Sequence, residues 1–249
     1  MIILKRAKEI DGIRKSCSIV VHVLKELYKA IEPGMSTEFL NRMAEELCFQ
    51  RGGTPAFKGY RGFPYSICSS RDEEVVHGFP SGVPLKDGEI LSIDFGVLYK
   101  GWYGDAAFTK AIGHHSVKAA KLIKVTKQCL ADGIAQAHVG NRLGDIGHAI
   151  QTRAETNGFN VIREFVGHGI GRDLHEDPQV LNYGDAGKGM ELKAVMVIAI
   201  EPMCVQGTYE THVMPDGWTT ITKDHKLSAH WEHTLVITDS GPEILTNRD

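Results

Sequence analysis

In the segment Glu89-Ile90-Leu91-Ser92-Ile93-Asp94-Phe95-Gly96-Val97, alternation puts Leu91, Ile93 and Phe95 on one face and Ser92, Asp94 and Gly96 on the other. An acid therefore interrupts a strand. The next strand, over 102–112, carries Asp105. If the Tyr99-Lys100-Gly101 turn makes a two- or four-residue hairpin loop, the two aspartates lie opposite or diagonal on one face; a three-residue loop breaks that pairing. Like charges so placed repel, so either the face is solvated or a cation compensates. Two further acids favour the cation. Glu201 ends the most apolar strand, 195–200, and Glu232 opens another at 230–237. Carboxylates are seldom buried without a partner, and four of them sit at four strand positions.

A softer ligand is available in Gly167-His168-Gly169-Ile170-Gly171-Arg172-Asp173-Leu174-His175-Glu176. The glycines argue against a helix and for a loop or bent strand where backbone approaches a ligand. One histidine is then free to bind metal and the other to meet substrate. Four carboxylates and a histidine suit two hard or borderline divalent ions sharing bridging carboxylates, as in co-catalytic hydrolases. Spacing alone leaves Mn, Fe, Co and Zn open.

Helices must support these strands. Ile10, Ile13, Cys17, Val20, Leu24, Leu27 and Ile31 recur every three or four residues, predicting a long amphipathic helix that ends before Pro33-Gly34. A second helix runs from about 36, with Ser36 as N-cap, to about 51, where Gly52-Gly53 stops it. Helices over about 116–137 and 143–157 repeat that order. Gly34 and Gly140 are 106 residues apart, as are Gly52 and Gly158, while the side chains at matched positions differ. The expectation is one domain over 1–249, built of two similar halves, roughly 1–113 and 114–249. Their strands combine in a curved antiparallel sheet, with helices covering the outer face and the site on the inner face.

The chain has 249 residues, 42% of them hydrophobic, and a net charge of −3. That charge gives no field to steer it to nucleic acid or an anionic membrane, so a peptide or small-molecule substrate is expected. Charges at Lys5, Arg6 and Lys8 follow a very short apolar start, the reverse of a signal peptide. No stretch approaches the roughly 20 apolar residues of a membrane span. Five scattered cysteines without a C-x-x-C pair read as buried reduced thiols, and a cytoplasmic location follows.

The ordered set His77, Asp94, Asp105, His168, His175, Glu201 and Glu232 resembles the site of the methionine aminopeptidases, the smallest members of the creatinase or pita-bread family. The motifs Val75-Val76-His77-Gly78-Phe79-Pro80, Ile93-Asp94-Phe95-Gly96, Gly104-Asp105, Gly167-His168-Gly169-Ile170-Gly171, Ile200-Glu201-Pro202 and Trp231-Glu232-His233-Thr234 fall in family order. The resemblance implies an α+β pita-bread fold and a monomeric enzyme. Its substrates would be N-terminal methionyl peptides and nascent chains with a small second residue. The Lys5, Arg6, Lys8 cluster reads first as a solvated helix start, with contact to a ribosome as the alternative. The resemblance further implies that Asp94, Asp105, His168, Glu201 and Glu232 bind two divalent ions (Co, Mn, Fe or Zn), with Asp105 and Glu232 bridging. Glu201 would help deprotonate water, His175 would steady the oxyanion, and His77 would contact the scissile amide. Tyr60, Phe63, Cys68 and Trp218 correspond to the methionine pocket, whose shape differs from many relatives at Phe63 and Leu174. The absence of large insertions between His175, Glu201 and Glu232 resembles type I enzymes.

Overall fold

The computed structural model describes residues 2–248. Helices α1 (Ala7–Ala30) and α2 (Thr37–Gln50) precede the first strands, and α3 (Val117–Ile134) and α4 (Leu143–Thr156) precede the second group. The apolar stripe of α1, from Ile10 to Leu27, is buried as its period requires. Ser36 and Ser116 cap α2 and α3 by accepting from the amides of Phe39 and Ala119. Helix α3 stops three residues short of the expected end because the amides of Gln136 and Ala137 turn back to Gly133 and Ile134, tightening the last turn.

Strands Ile90–Tyr99 and Trp102–Ala111 form a hairpin closed by Lys100 and Gly101, both at positive φ, with Tyr99 opposite Trp102. This is the two-residue loop whose twist suits a right-handed ribbon. Gly96 faces Asp105 and Asp94 faces Ala107, so the two aspartates share a face and lie on a diagonal. Strand Cys68–Arg71 flanks the other edge and sets Cys68 opposite Asp94.

The wall is divided into four antiparallel ladders. The largest runs Gly241–Ile244, His233–Thr238, Val197–Ile200, Gly167–Gly169, Glu176–Val180. Two of its strands leave it and re-pair in another ladder, where Met203 lies opposite His230. His233 is opposite Ile200, so the breaks at 201–202 and 231–232 face each other. Thr234 stitches this ladder to the hairpin: its hydroxyl donates to the Asp105 carbonyl at 2.8 Å and accepts from the Asp105 amide at 3.3 Å.

One apolar cluster lies between α1, α2 and the hairpin, and another between α3, α4 and the strands 197–200 and 233–238. Helix α1 approaches the hairpin closely at Gly104, where an added Cβ would come within 2.8 Å of the Cys17 amide nitrogen. Backbone cannot yield there as a side chain could. Gly104→Val should therefore cost about 1–3 kcal/mol as an overpacked contact, read as a lower urea midpoint at unchanged m-value.

Candidate metal centre and substrate cleft

The fold gathers the four acids. Asp94 and Asp105 come from adjacent hairpin strands, and Glu201 and Glu232 from the facing breaks between ladders. Strand alternation and the two-residue loop place the first pair. The breaks place the second, because backbone released from a ladder can turn its side chain inward. His168 is added by the Gly167–Gly169 strand. Ligand atoms of Asp105, His168 and Glu232 lie within 4.8 Å of one another, and all three side chains are buried. Glu201 Oε1 is 3.5 Å from His168 Nε2, and its Oε2 is 3.6 Å from His230 Nε2.

His168 Nδ1 is 2.9 Å from the Gly169 carbonyl. A carbonyl only accepts, so Nδ1 carries the proton and Nε2 presents a lone pair to the acids. Burial raises Asp94 and Glu201 to about 7; for Asp94 a nearby His230 opposes the shift and Glu201 adds to it, and for Glu201 a nearby His168 opposes it. Asp105 and Glu232 rise well above the carboxylate range, first from burial and then from the other acids. Asp94 Oδ1, Asp105 Oδ1 and Glu232 Oε1 are buried without a hydrogen-bond partner. Three orphaned anionic oxygens on one face are an unmet demand for positive charge.

The cluster forms one wall of a cleft of about 540 Å³. Tyr60, Phe63, Cys68, His77, His175 and Trp218 all line it. Phe63 packs edge-on against Trp218 with centroids 5.2 Å apart. Leu174 and Phe57 line the same cleft and join Phe63 and Cys68 in one apolar cluster. Burial and the neighbouring acids push the Cys68 thiol far up, so it is a neutral apolar wall.

His77 has φ +59, an uncommon conformation for a residue with a side chain, and its ring meets those of Phe165 and Trp218. Burial pushes it down to about 4. His175 Nδ1 is 2.9 Å from the Tyr60 hydroxyl, and its ring lies 4.4 Å from that of His168. Desolvation, then His168 and Arg61, push it down to about 3. His175 is exposed at the cleft mouth and is neutral at pH 7. The loop carrying it is tied down by Glu176, which accepts from the Arg172 amide at 2.7 Å and is ion-paired with buried Lys5.

Matches to known proteins agree with this geometry. The profile described as metallopeptidase family M24 matches residues 11–239. The chain belongs to metallopeptidase family M24. It is similar to proteins named methionine aminopeptidase. It is 51% identical to one from Clostridium perfringens and 48% to one from Bacillus subtilis, over 99% of each chain in both cases. A methionine aminopeptidase structure from Thermotoga maritima superposes with a TM-score of 0.98 at 44% identity, covering 99% of this chain and all of that one. A prolidase from Pyrococcus furiosus shares the fold at 22% identity and a TM-score of 0.81. The M24 chain is thus a metallopeptidase of pita-bread fold that uses divalent metal, and its buried acids fit that use.

Two residues of the site were not singled out from sequence. His230, 2% exposed, faces Asp94 and Glu201. Its position two residues before Glu232, on one face of an extended segment, was the available signal. Phe57 left no signal, since nothing local to it indicates a cleft.

The acids also set a pH dependence. Their folded pKa values exceed the unfolded values near 4, so the folded state holds more protons and loses stability as pH rises toward the raised pKa. The depressed histidines act oppositely, but only below about 6.5, where unfolded histidines charge. From pH 7 to 8.5 the buried cysteines, raised by burial and at Cys129 first by the Cys204 thiol, add to the same fall, so the part of the slope that metal removes is the part that reports the acids. The chelator-treated protein should therefore show a falling melting temperature over that range, and added divalent metal should flatten the slope; a melting temperature that rises with pH contradicts the assignment.

Proposed function

We propose that this chain removes methionine from the N-terminus of peptides and nascent proteins in the cytoplasm, acting as a monomer and preferring a small second residue. The observation that carries the reading is the continuity of the acid cluster with an aromatic and sulfur-lined cleft on one face. Asp94, Asp105, His168, Glu201 and Glu232 would hold two divalent ions, the metal being Co, Mn, Fe or Zn. Bound there, the ions supply Lewis acidity and lower the pKa of water to near neutral.

The chain's own residues do the rest. Glu201, beside the ions it would help to hold, would accept a proton from the attacking water. The Tyr60 hydroxyl lies 2.9 Å from Nδ1 of His175; the tautomer in which Tyr60 donates there carries its hydrogen on Nε2, and that tautomer would donate to the oxygen that gains charge as the carbonyl is attacked. His77, neutral at pH 7, lines the same cleft and would contact the scissile amide and assist proton transfer to the leaving nitrogen, the proton being the one released by the attacking water. Tyr60, Phe63, Cys68 and Trp218 would receive the thioether, which favours soft and aromatic surroundings. Phe57 and Leu174 complete that wall. Contact with the ribosome through Lys5, Arg6 and Lys8 sits less well with the structure, because Lys5 is buried against Glu176; Arg6 and Lys8 remain exposed.

Offered Met-Ala-Ser, Met-Trp-Ser and an Xaa-Pro peptide, the metal-loaded protein should cleave the first best and leave the last intact. Cleavage of the Xaa-Pro peptide alone would replace this reading with a proline-specific one. His175→Ala should lower kcat by roughly 10²–10³, the loss seen when one oxyanion donor is removed, with a smaller change in KM.

A further inference from the structure

His230 is buried beside the metal centre, and peptide hydrolysis as set out above gives it no task. Its side chain is 2% exposed, and its Nε2 has no hydrogen-bond partner among the described residues. Buried imidazole nitrogens are ordinarily bonded, so an orphan calls for a cause. This one points at an acid: Nε2 lies 3.6 Å from Oε2 of Glu201. Asp94 is the other acid whose charge it feels, and His77 is near enough to feel its own.

The backbones of both residues are pinned. The His230 amide donates to Thr109 Oγ1 and the Thr109 hydroxyl donates to the His230 carbonyl, both at 2.8 Å, and His230 is paired with Met203 in its ladder. The Glu201 carbonyl lies one residue past the end of its own ladder at Ile200. It accepts instead from Nδ2 of Asn182 at 3.1 Å, and Asn182 is fully buried. What stays free is rotation of the Glu201 carboxylate about its last side-chain bond, a torsion with broad minima. A separation of 3.6 Å is too long for a hydrogen bond, and that rotation is the movement able to close it.

Glu201 thus has a histidine beside each oxygen, and the two histidines are not equivalent. His168 meets Oε1 at 3.5 Å with the lone pair of Nε2, since its hydrogen is on Nδ1. Two acceptors face to face are what a shared cation requires. His230 stands outside the tight ligand group of Asp105, His168 and Glu232. A lone pair on its Nε2 would be repelled by both acids, whereas a hydrogen there is attracted to them. We propose that His230 is a positioning residue: its Nε2–H donates to Oε2 of Glu201 and so keeps Oε1 turned to His168, where an ion is shared. This needs only a hydrogen on Nε2, which the neutral and the charged ring alike can carry. It rests on the reading of Glu201 as a metal ligand. Held at Oε2, Glu201 neither swings away nor chelates through both oxygens.

In the zinc-loaded full chain, long-range proton–nitrogen NMR of the histidine rings should show Nε2 of His230 bearing hydrogen and Nε2 of His168 bearing metal. That reading needs no variant, so it holds even where a substitution in this core prevents folding. In Mn²⁺ titrations followed by electron paramagnetic resonance, His230→Leu should bind metal about 10–100-fold more weakly, the usual loss when a group that orients a ligand is removed. His230→Gln, which keeps an N–H donor, should retain most of the parent's affinity. At saturating Mn²⁺, His230→Leu should still lower kcat for Met-Ala-Ser more than it changes KM. The proposal is overturned if Nε2 of His230 carries metal or no hydrogen, if His230→Leu binds Mn²⁺ as the parent does, or if His230→Gln loses as much affinity as His230→Leu. A parent that binds no Mn²⁺ at the cluster overturns the metal reading itself, and this inference with it.

Discussion

Buried carboxylates repel one another more strongly as water is excluded, and the arrangement of this protein turns on that repulsion. At the 4.8 Å that bounds the ligand atoms of Asp105 and Glu232, two full charges repel by roughly 3–4 kcal/mol at an effective dielectric near 20, before any desolvation cost. Protonation relieves part of this: burial raises all four acids, and neighbouring acids add to the rise at Asp94, Asp105 and Glu232. Divalent cations relieve it at neutral pH without neutralising the groups that must take up protons.

The scaffold resists the repulsion by fixing backbone where it is greatest. Thr234 clasps the Asp105 peptide from both sides, and the amide of Glu232 donates to the carbonyl of Ala107 at 3.1 Å. Both are bonds between ladders, made where the ladders themselves break. Helix α1 packs against the back of the hairpin so closely that Gly104 has no room for a side chain. The acids therefore cannot move apart, and positive charge must come to them. The histidines complete the cleft in a complementary way: desolvation keeps His77 and His175 uncharged, able to accept and donate beside the cations.

Much of this was readable from sequence because it is local. Alternation within 89–97 gave the face of Asp94, and the loop Lys100-Gly101, with glycine at one of its two positive-φ positions, decided between registers that alternation left open. Glycines around His168 indicated close backbone approach, and the Gly167–Gly169 strand lies against Val197–Ile200 with no room for a Cβ. Glu201 and Glu232 were identified by their chemistry, although no pattern revealed that their two breaks would face each other. What stayed illegible is non-local. The Lys5–Glu176 pair spans 171 residues. His230 was missed because one histidine before a strand has many ordinary explanations.

The central claim, that the acids form a divalent-metal centre on which hydrolysis depends, is met most directly by titrating Mn²⁺ into chelator-treated protein, with electron paramagnetic resonance reporting bound metal and Met-Ala-Ser cleavage assayed at each point. The account predicts no cleavage without metal, and a rise in activity that tracks metal bound at the cluster, with Asp105→Asn losing both together. Full cleavage by the metal-free protein, or tight binding of Mn²⁺ that Asp105→Asn leaves untouched, would contradict it.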